Sequence, residues 1–270
     1  NVGCVEPVSA GRSFLSTDAA LFNLPMCLEL ALNRGRRFGR WKRIGAASPA
    51  ADRYRSMDEL LESFRAQVEA AVGRLLFDIA ALERMNAKWN PTPLTSMLVQ
   101  GCIAKGRDAS AGGAIYNGSG LQGVGVVEVG DRLAAIDWVV FQQRKATLAE
   151  VVQACRAGFR GHEALRARLR NAPKYGNDHP LPDGYVGRAM EIFQTCFAGK
   201  RNTRGGEYVA GFYSVTSHVA FGQKVGALPS GRMAKAPFSS GISATNGMDR
   251  LGPTAVMRSA ATLPLHLAHN

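Results

Sequence analysis

The stretch that most limits what this chain can fold into runs from Ser56 to Lys88. Ser56-Met57-Asp58-Glu59 has the form of a capping box, in which a serine hydroxyl and a glutamate carboxylate satisfy the free N–H groups of a helix start. Behind it Leu60, Phe64, Val68, Val72, Leu75, Ile79 and Leu82 recur at helical spacing, which predicts an amphipathic helix over about 57–88. An apolar stripe of that length has to be covered, so the chain must build a layered domain with a true core. Its 270 residues are enough for one large domain or two small ones, at ~100–200 residues each. With 46% apolar and 20% charged residues, a disordered tail, a collagen and a disulfide-stapled miniprotein are excluded.

Other segments carry weaker signals. Pro25 near its start and Gly35 after its end bracket a helix through Leu28 and Leu32. A second capping box, Thr147-Leu148-Ala149-Glu150, predicts a helix reaching about 170, which the Pro/Gly/Asn/Asp cluster at 173–184 then breaks. Another helix is expected over about 186–198, and Tyr208 to Val219, rich in Val, Tyr, Phe and Thr, reads as a strand. The last fifty residues read as loops followed by a short helix. The glycine-rich stretch 101–127 lacks the Gly-Lys-Ser/Thr closure of a phosphate-cradling loop, so it is read as tight turns. Helices alternating with short buried strands predict α/β architecture, without an internal repeat.

Lys and Arg total 33 against 21 Asp and Glu, a net charge of +12. The basic residues concentrate at 34–43 and 156–170 without the aromatic pattern of a nucleic-acid reader, so they are read as solvated faces, with no nucleic-acid partner. Five cysteines, scattered and without a C-x-x-C pair, argue against a disulfide framework and a metal site. With no span of ~18 uncharged apolar residues and no signal-peptide layout, no membrane contact and a cytoplasmic location are expected. The chain starts at Asn1 rather than methionine and is expected to be an excised piece.

The opening Gly3-Cys4-Val5-Glu6-Pro7 brings a thiol and a carboxylate together. Pro7 pushes Glu6 into extended backbone, and if Val5 is extended too, Cys4 and Glu6 share a side. Asp18 follows in apolar company. A cysteine hydrolase would need a histidine base, whereas an acid beside a thiol raises its pKa. The pair suits chemistry in which sulfur reacts as S–H or as a radical and the carboxylate moves a proton. Taken alone, the residues also fit a small buried cysteine beside a surface acid. His218 is read as a hydrogen-bonded core histidine, Thr216 as a pocket-lining residue of the same strand, and His266 and His269 as surface residues at a helix end.

Gly3-Cys4-Val5-Glu6-Pro7 resembles the active-site cysteine loop of the glycyl radical enzymes, the pyruvate formate-lyase-like family. The similarity continues in order through Cys27-Leu28-Glu29-Leu30-Ala31-Leu32-Asn33, Lys105-Gly106-Arg107-Asp108, Gly112 to Asn117, Gln122-Gly123-Val124-Gly125 and Pro173 to Asp178. It goes on through Ser217-His218-Val219, Pro229-Ser230-Gly231-Arg232 and Gly247 to Ala255. The resemblance implies that residues 1–270 are a C-terminal half-barrel fragment of a pyruvate formate-lyase-like domain, part of a ten-stranded β/α barrel. It implies that Cys4 carries a thiyl radical that takes hydrogen from substrate, that Glu6 is the acid/base, that Asp18 binds a substrate hydroxyl, and that Gly226 to Pro253 shapes the barrel floor. Thr216 joins them as a substrate-binding candidate.

The implied activity is a glycyl radical lyase removing water from a small hydroxylated substrate, as in glycerol or diol dehydratases. Radical C–N, C–S or C–C lyases of the same family are the alternative, with a non-catalytic degenerate domain as the contrast. The implied partners are the small-molecule substrate, an S-adenosylmethionine-dependent activating enzyme and a second copy in a homodimer; no cofactor is bound directly. Three departures stand out. Cys4 lacks the adjacent second cysteine of pyruvate formate-lyase, which argues against acyl transfer. Ser230 and Ser239-Ser240 replace usual acids. The radical-bearing Arg-Val-x-Gly-aromatic motif is absent, since Lys224-Val225-Gly226-Ala227 lacks the aromatic residue, so the chain alone is expected to be inactive.

Overall fold

The computed structural model describes residues 7–269. Strand β1 (Ser16–Asn23) runs directly into α1 (Leu24–Leu32), and the long α2 (Met57–Trp89) and short α3 (Pro93–Leu98) and α4 (Cys102–Lys105) lead to β2 (Ser119–Val124). Then come α5 (Val126–Ile136), α6 (Leu148–Arg156), α7 (Glu163–Asn171) and α8 (Pro180–Thr195), strand β3 (Tyr208–Gly211), α9 (Ser217–Gln223) and α10 (Pro253–Ala261). The strands form one sheet in the order β1-β2-β3, parallel throughout. Parallel neighbours cannot be joined by a hairpin, and the helices supply the crossovers. The expected α/β class holds.

Helix α2 starts as its sequence demands: Ser56 Oγ accepts from the Glu59 N–H at 3.3 Å, and the Glu59 carboxylate accepts from the Arg55 N–H at 2.7 Å. The return bond falls one residue before the serine. Leu60, Phe64, Val68 and Val72 are fully buried, and Ile79 nearly so. The stripe ends there, because Leu82 is 62% exposed and borders a cavity instead of joining the core.

Three expected boundaries move. The helix predicted over 147–170 splits in two: Gly158, Phe159 and Gly161 all adopt positive φ, and this left-handed turn drives Phe159, 2% exposed, into a core shared with Ala154 and Leu169. The 173–184 cluster does not exclude helix. Helix α8 begins at Pro180, with Pro180 and Pro182 in its first turn, where backbone N–H groups have no intrahelical acceptor to lose. The strand predicted over 208–219 stops at Gly211, because the chain turns through Val215 at φ 49° into α9. Residues 16–23, for which no strand was expected, form β1.

Helix α5 is buried along its whole length against α1 and α8. Gly130 permits that approach, since a methyl carbon there would overlap Val186 Cγ2 and sit 2.8 Å from the Val186 nitrogen. Gly130→Ala is therefore expected to destabilise the protein by ~1–3 kcal/mol through overpacking. Gly184→Ala on exposed α8 surface, with nothing within 4 Å, should leave stability unchanged or slightly raised. Chemical unfolding midpoints of the full-length protein measure both.

The four cysteines among the described residues, Cys27, Cys102, Cys155 and Cys196, are free and buried. Burial pushes the Cys27 thiol up to about 12 and Cys196 up to about 11, and raises Cys155 as well. These are packing residues with inert thiols. No helix among the described residues is long and apolar enough to cross a membrane.

Candidate active site

The amino ends of the three strands converge on one polar clamp. Arg204, four residues before β3, donates to the carbonyls of Phe14 (3.1 Å), two residues before β1, and Gly118 (2.9 Å), directly before β2. Its guanidinium lies 3.6 Å from the Glu83 carboxylate, both side chains largely buried. Glu83, on α2, also accepts from Ser119 Oγ at 2.5 Å and from the Thr203 N–H at 3.0 Å. Asn202 Nδ2 donates to the Asn117 carbonyl at 2.6 Å and to Ser119 Oγ at 2.8 Å. One helix and two loops thereby fix where all three strands begin.

Two cavities open beside this clamp. One, of about 420 Å³, lies between the start of β1 and α2, with Ser16, Ile79, Glu83, Asn86 and Arg204 in its wall. The other, of about 650 Å³, is bordered by Pro7, Val8 and Ser9 together with Tyr116, Asn117 and Glu207. Cys4 and Glu6 lie outside the described residues. The three residues that follow Glu6 in the chain form one wall of this larger cleft.

Asp18 is the third residue of β1, exposed next to buried Thr17 by strand alternation. It lines neither cavity. The Thr17 carbonyl accepts from Gln122 Nε2 at 2.5 Å, and a Cβ at Gly120 would overlap that same carbonyl. Only glycine at 120 lets β2 come this close to the Thr17 carbonyl, where the β1–β2 register shifts between Ser16 and Ala20.

Thr216 is not on a strand. It is the exposed residue preceding α9 and makes no side-chain capping bond. It follows β3 at the carboxyl side of the sheet, so the described structure does not join it to the cleft at the amino ends. His218 is half-buried on α9 with Nδ1 3.1 Å from Ser214 Oγ, hydrogen-bonded as expected but helical. His266 is exposed in a short turn. His269 is exposed too, but its N–H donates to the Ala210 carbonyl at 2.7 Å, which docks the chain against β3 and brings His269 to the rim of the larger cleft. No group of three or more potential metal ligands occurs among the described residues.

Residues 1–222 match the model of the family described as pyruvate formate lyase-like. The chain belongs to the pyruvate formate lyase-like family. Within it, trans-4-hydroxy-L-proline dehydratase of Clostridioides difficile is 36% identical over 97% of this chain. A glycyl radical enzyme from Archaeoglobus fulgidus superposes with a TM-score of 0.94 at 40% identity, covering 99% of this chain. The glycerol-bound B12-independent glycerol dehydratase of Clostridium butyricum does so with a TM-score of 0.96 at 35% identity, again over 99%. In each case this chain spans about a third of the relative's length: 33% of the first, 34% of the others.

Sequence reasoning passed over Glu83, Asn202 and Arg204. The run Asn202-Thr203-Arg204-Gly205-Gly206 carried a turn signal, but nothing local tied that turn to a carboxylate on α2.

Proposed function

We propose that this chain is the cysteine-loop portion of a glycyl radical dehydratase, and that residues 1–270 supply part of a ten-stranded β/α barrel in the full-length protein. The observation that carries the reading is the likeness along almost the entire chain, at 35–40% identity, to dehydratases and a glycyl radical enzyme. The chain retains Cys4, Glu6 and Asp18, and the segment leading from Glu6 borders a cleft large enough for a small substrate.

In this reading the glycyl radical, on a loop outside this segment, supplies the capacity to remove one hydrogen atom, relayed through the Cys4 sulfur. Cys4 takes a hydrogen atom from a substrate carbon bearing a hydroxyl. Glu6 takes the proton of that hydroxyl and hands it to the neighbouring hydroxyl, which the electron-rich carbon centre expels as water. The product-side carbon recovers a hydrogen atom from the Cys4 thiol. Asp18, which lines neither described cavity, accepts a hydrogen bond from a substrate hydroxyl in the full-length protein. The activating enzyme and the homodimer belong to the same proposal.

A hydrogen bond to a charged acceptor is worth ~1.5–3 kcal/mol, about 10- to 150-fold in rate. Asp18→Asn in the full-length, activated protein is therefore expected to lower kcat/KM for glycerol or propane-1,2-diol by at least about tenfold. Choline, isethionate and arylacetates, which lack a second hydroxyl, should be poor substrates for the wild type. An anaerobic substrate panel on both proteins tests this. Best cleavage of a sulfonate or an amine, with Asp18→Asn without effect, would replace the dehydratase reading by a C–S or C–N lyase.

A further inference from the structure

A third cleft, of about 340 Å³, lies away from the strand ends and shares no lining residue with the two cavities there. Its wall comes from α5, α7 and the loop from Ser230 to Met248. Four cationic side chains line it, Arg166, Arg170, Lys174 and Arg232, against two carboxylates, Glu128 and Asp131.

Both carboxylates are already engaged. Glu128 accepts from Arg132, behind the wall, at 2.8 Å and from the Ser239 N–H at 3.1 Å. Asp131 accepts from the Tyr175 N–H at 2.8 Å and from Thr245 Oγ1 at 2.9 Å. The four lining cations make no ion pair among the described residues. Carbonyls hold three of them in place: Lys174 donates to Leu169 and Ala172 at 2.9 and 2.7 Å, Arg166 to Gly231 at 3.0 Å, and Arg232 to Gly222 and Gly226 at 2.8 and 2.9 Å. A carbonyl orients a cation without neutralising it.

Two buried polar atoms at the wall have no hydrogen-bond partner, Ser239 Oγ and Arg232 Nε. Ser239 is 1% exposed. A buried donor without an acceptor carries the full cost of lost hydration, and both residues line the cleft.

We propose that this cleft binds a tetrahedral oxyanion: inorganic phosphate, sulfate, or the phosphate group of a small metabolite. Several fixed donors and an excess of cations over carboxylates around a concave space suit such an ion, as in other arginine-lined oxyanion sites. The volume leaves room for a short organic tail. Burial pushes the Asp131 carboxyl up to about 6, with Lys174 pulling it back, and pushes the Lys174 ammonium down to about 8. Around these two groups stand Glu128, Arg170 and Arg250. For sulfate, whose charge is constant over this range, affinity should therefore fall as pH rises through 6, where Asp131 gains its charge, and again through 8, where Lys174 loses its own. The inference does not rest on the radical chemistry.

Isothermal titration calorimetry of the full-length protein with phosphate, sulfate and a phosphomonoester, against chloride at matched ionic strength, tests it. One site per chain is expected for an oxyanion, with affinity reduced at least about tenfold in Arg170→Ala and in Ser230→Asp and retained in Ser230→Asn. Binding of the phosphomonoester alone would support the site and identify a metabolite as its source. Oxyanions that bind no better than chloride, or Ser230→Asp binding as well as the wild type, would overturn it. Ser230 is partly exposed at the cleft, so its variants are expected to fold even if Arg170→Ala does not.

Discussion

Cys4→Ala in the full-length, activated protein is expected to leave the glycyl radical signal intact while turnover drops by more than about 10⁴-fold, the scale on which loss of an essential reacting group is felt. The reason is a division of labour: the proposed Cys4 passes hydrogen between substrate and the stored radical without holding the spin at rest. The described cysteines cannot substitute. Cys27, Cys155 and Cys196 are buried in the packed core, out of reach of a substrate, and Cys102 is packed at 2% exposure beneath Gly113. Cys102→Ala is the matching control and should keep both signal and turnover. Electron paramagnetic resonance beside an anaerobic product assay reads both quantities; normal turnover in Cys4→Ala would remove the radical-lyase proposal.

The largest effect on stability is expected at Arg132. Its side chain is fully buried on α5, bonded to Glu128 at 2.8 Å, with Nε and Nη1 lacking partners and the guanidinium 5.6 Å from the Phe238 ring centre. Burial pushes its pKa down, and the Glu128 and Asp131 carboxylates pull it back. Arg132→Leu strands the Glu128 charge in the core, and breaking a buried pair from one side costs ~3–5 kcal/mol. The double variant Glu128→Gln/Arg132→Met removes the stranded charge and should recover a large part of that loss. Unfolding midpoints of the three proteins decide it, and a single variant no worse than the double would mean that the pair is not coupled.

Legibility followed the range of the interactions. The stripe from Leu60 to Ile79 and the Thr147–Glu150 box are set by neighbours three and four residues away, and both appear where the sequence puts them. Strand β1 escaped because Ser16-Thr17-Asp18-Ala19-Ala20 has little β-branched character; its pairing with β2, not its own preference, makes it a strand. The start of α8 was missed because prolines act as breakers inside a helix but are tolerated in its first turn. The break at Phe159 depends on a left-handed residue paid back by a core contact, which no local rule foresees. Of the candidate site, Cys4 and Glu6 stood out only through resemblance, since the residues alone allowed two readings. Asp18, singled out as an acid in apolar company, is exposed on β1 and lines neither cavity, and Thr216 was placed by a strand that ends too early.

The clamp at the strand ends has a consequence for when the larger cleft takes shape. Thr203 and Glu83 are 120 residues apart in the chain, and Arg204 and Phe14 are 190 apart. Contacts of such sequence separation form after local helices, because closing long loops costs entropy before any contact repays it. The cleft beside the clamp is thus among the last regions to assemble. Pulse-labelled amide exchange during refolding should find protection at Ser119 and Arg204 only after α2 and α5 are already protected.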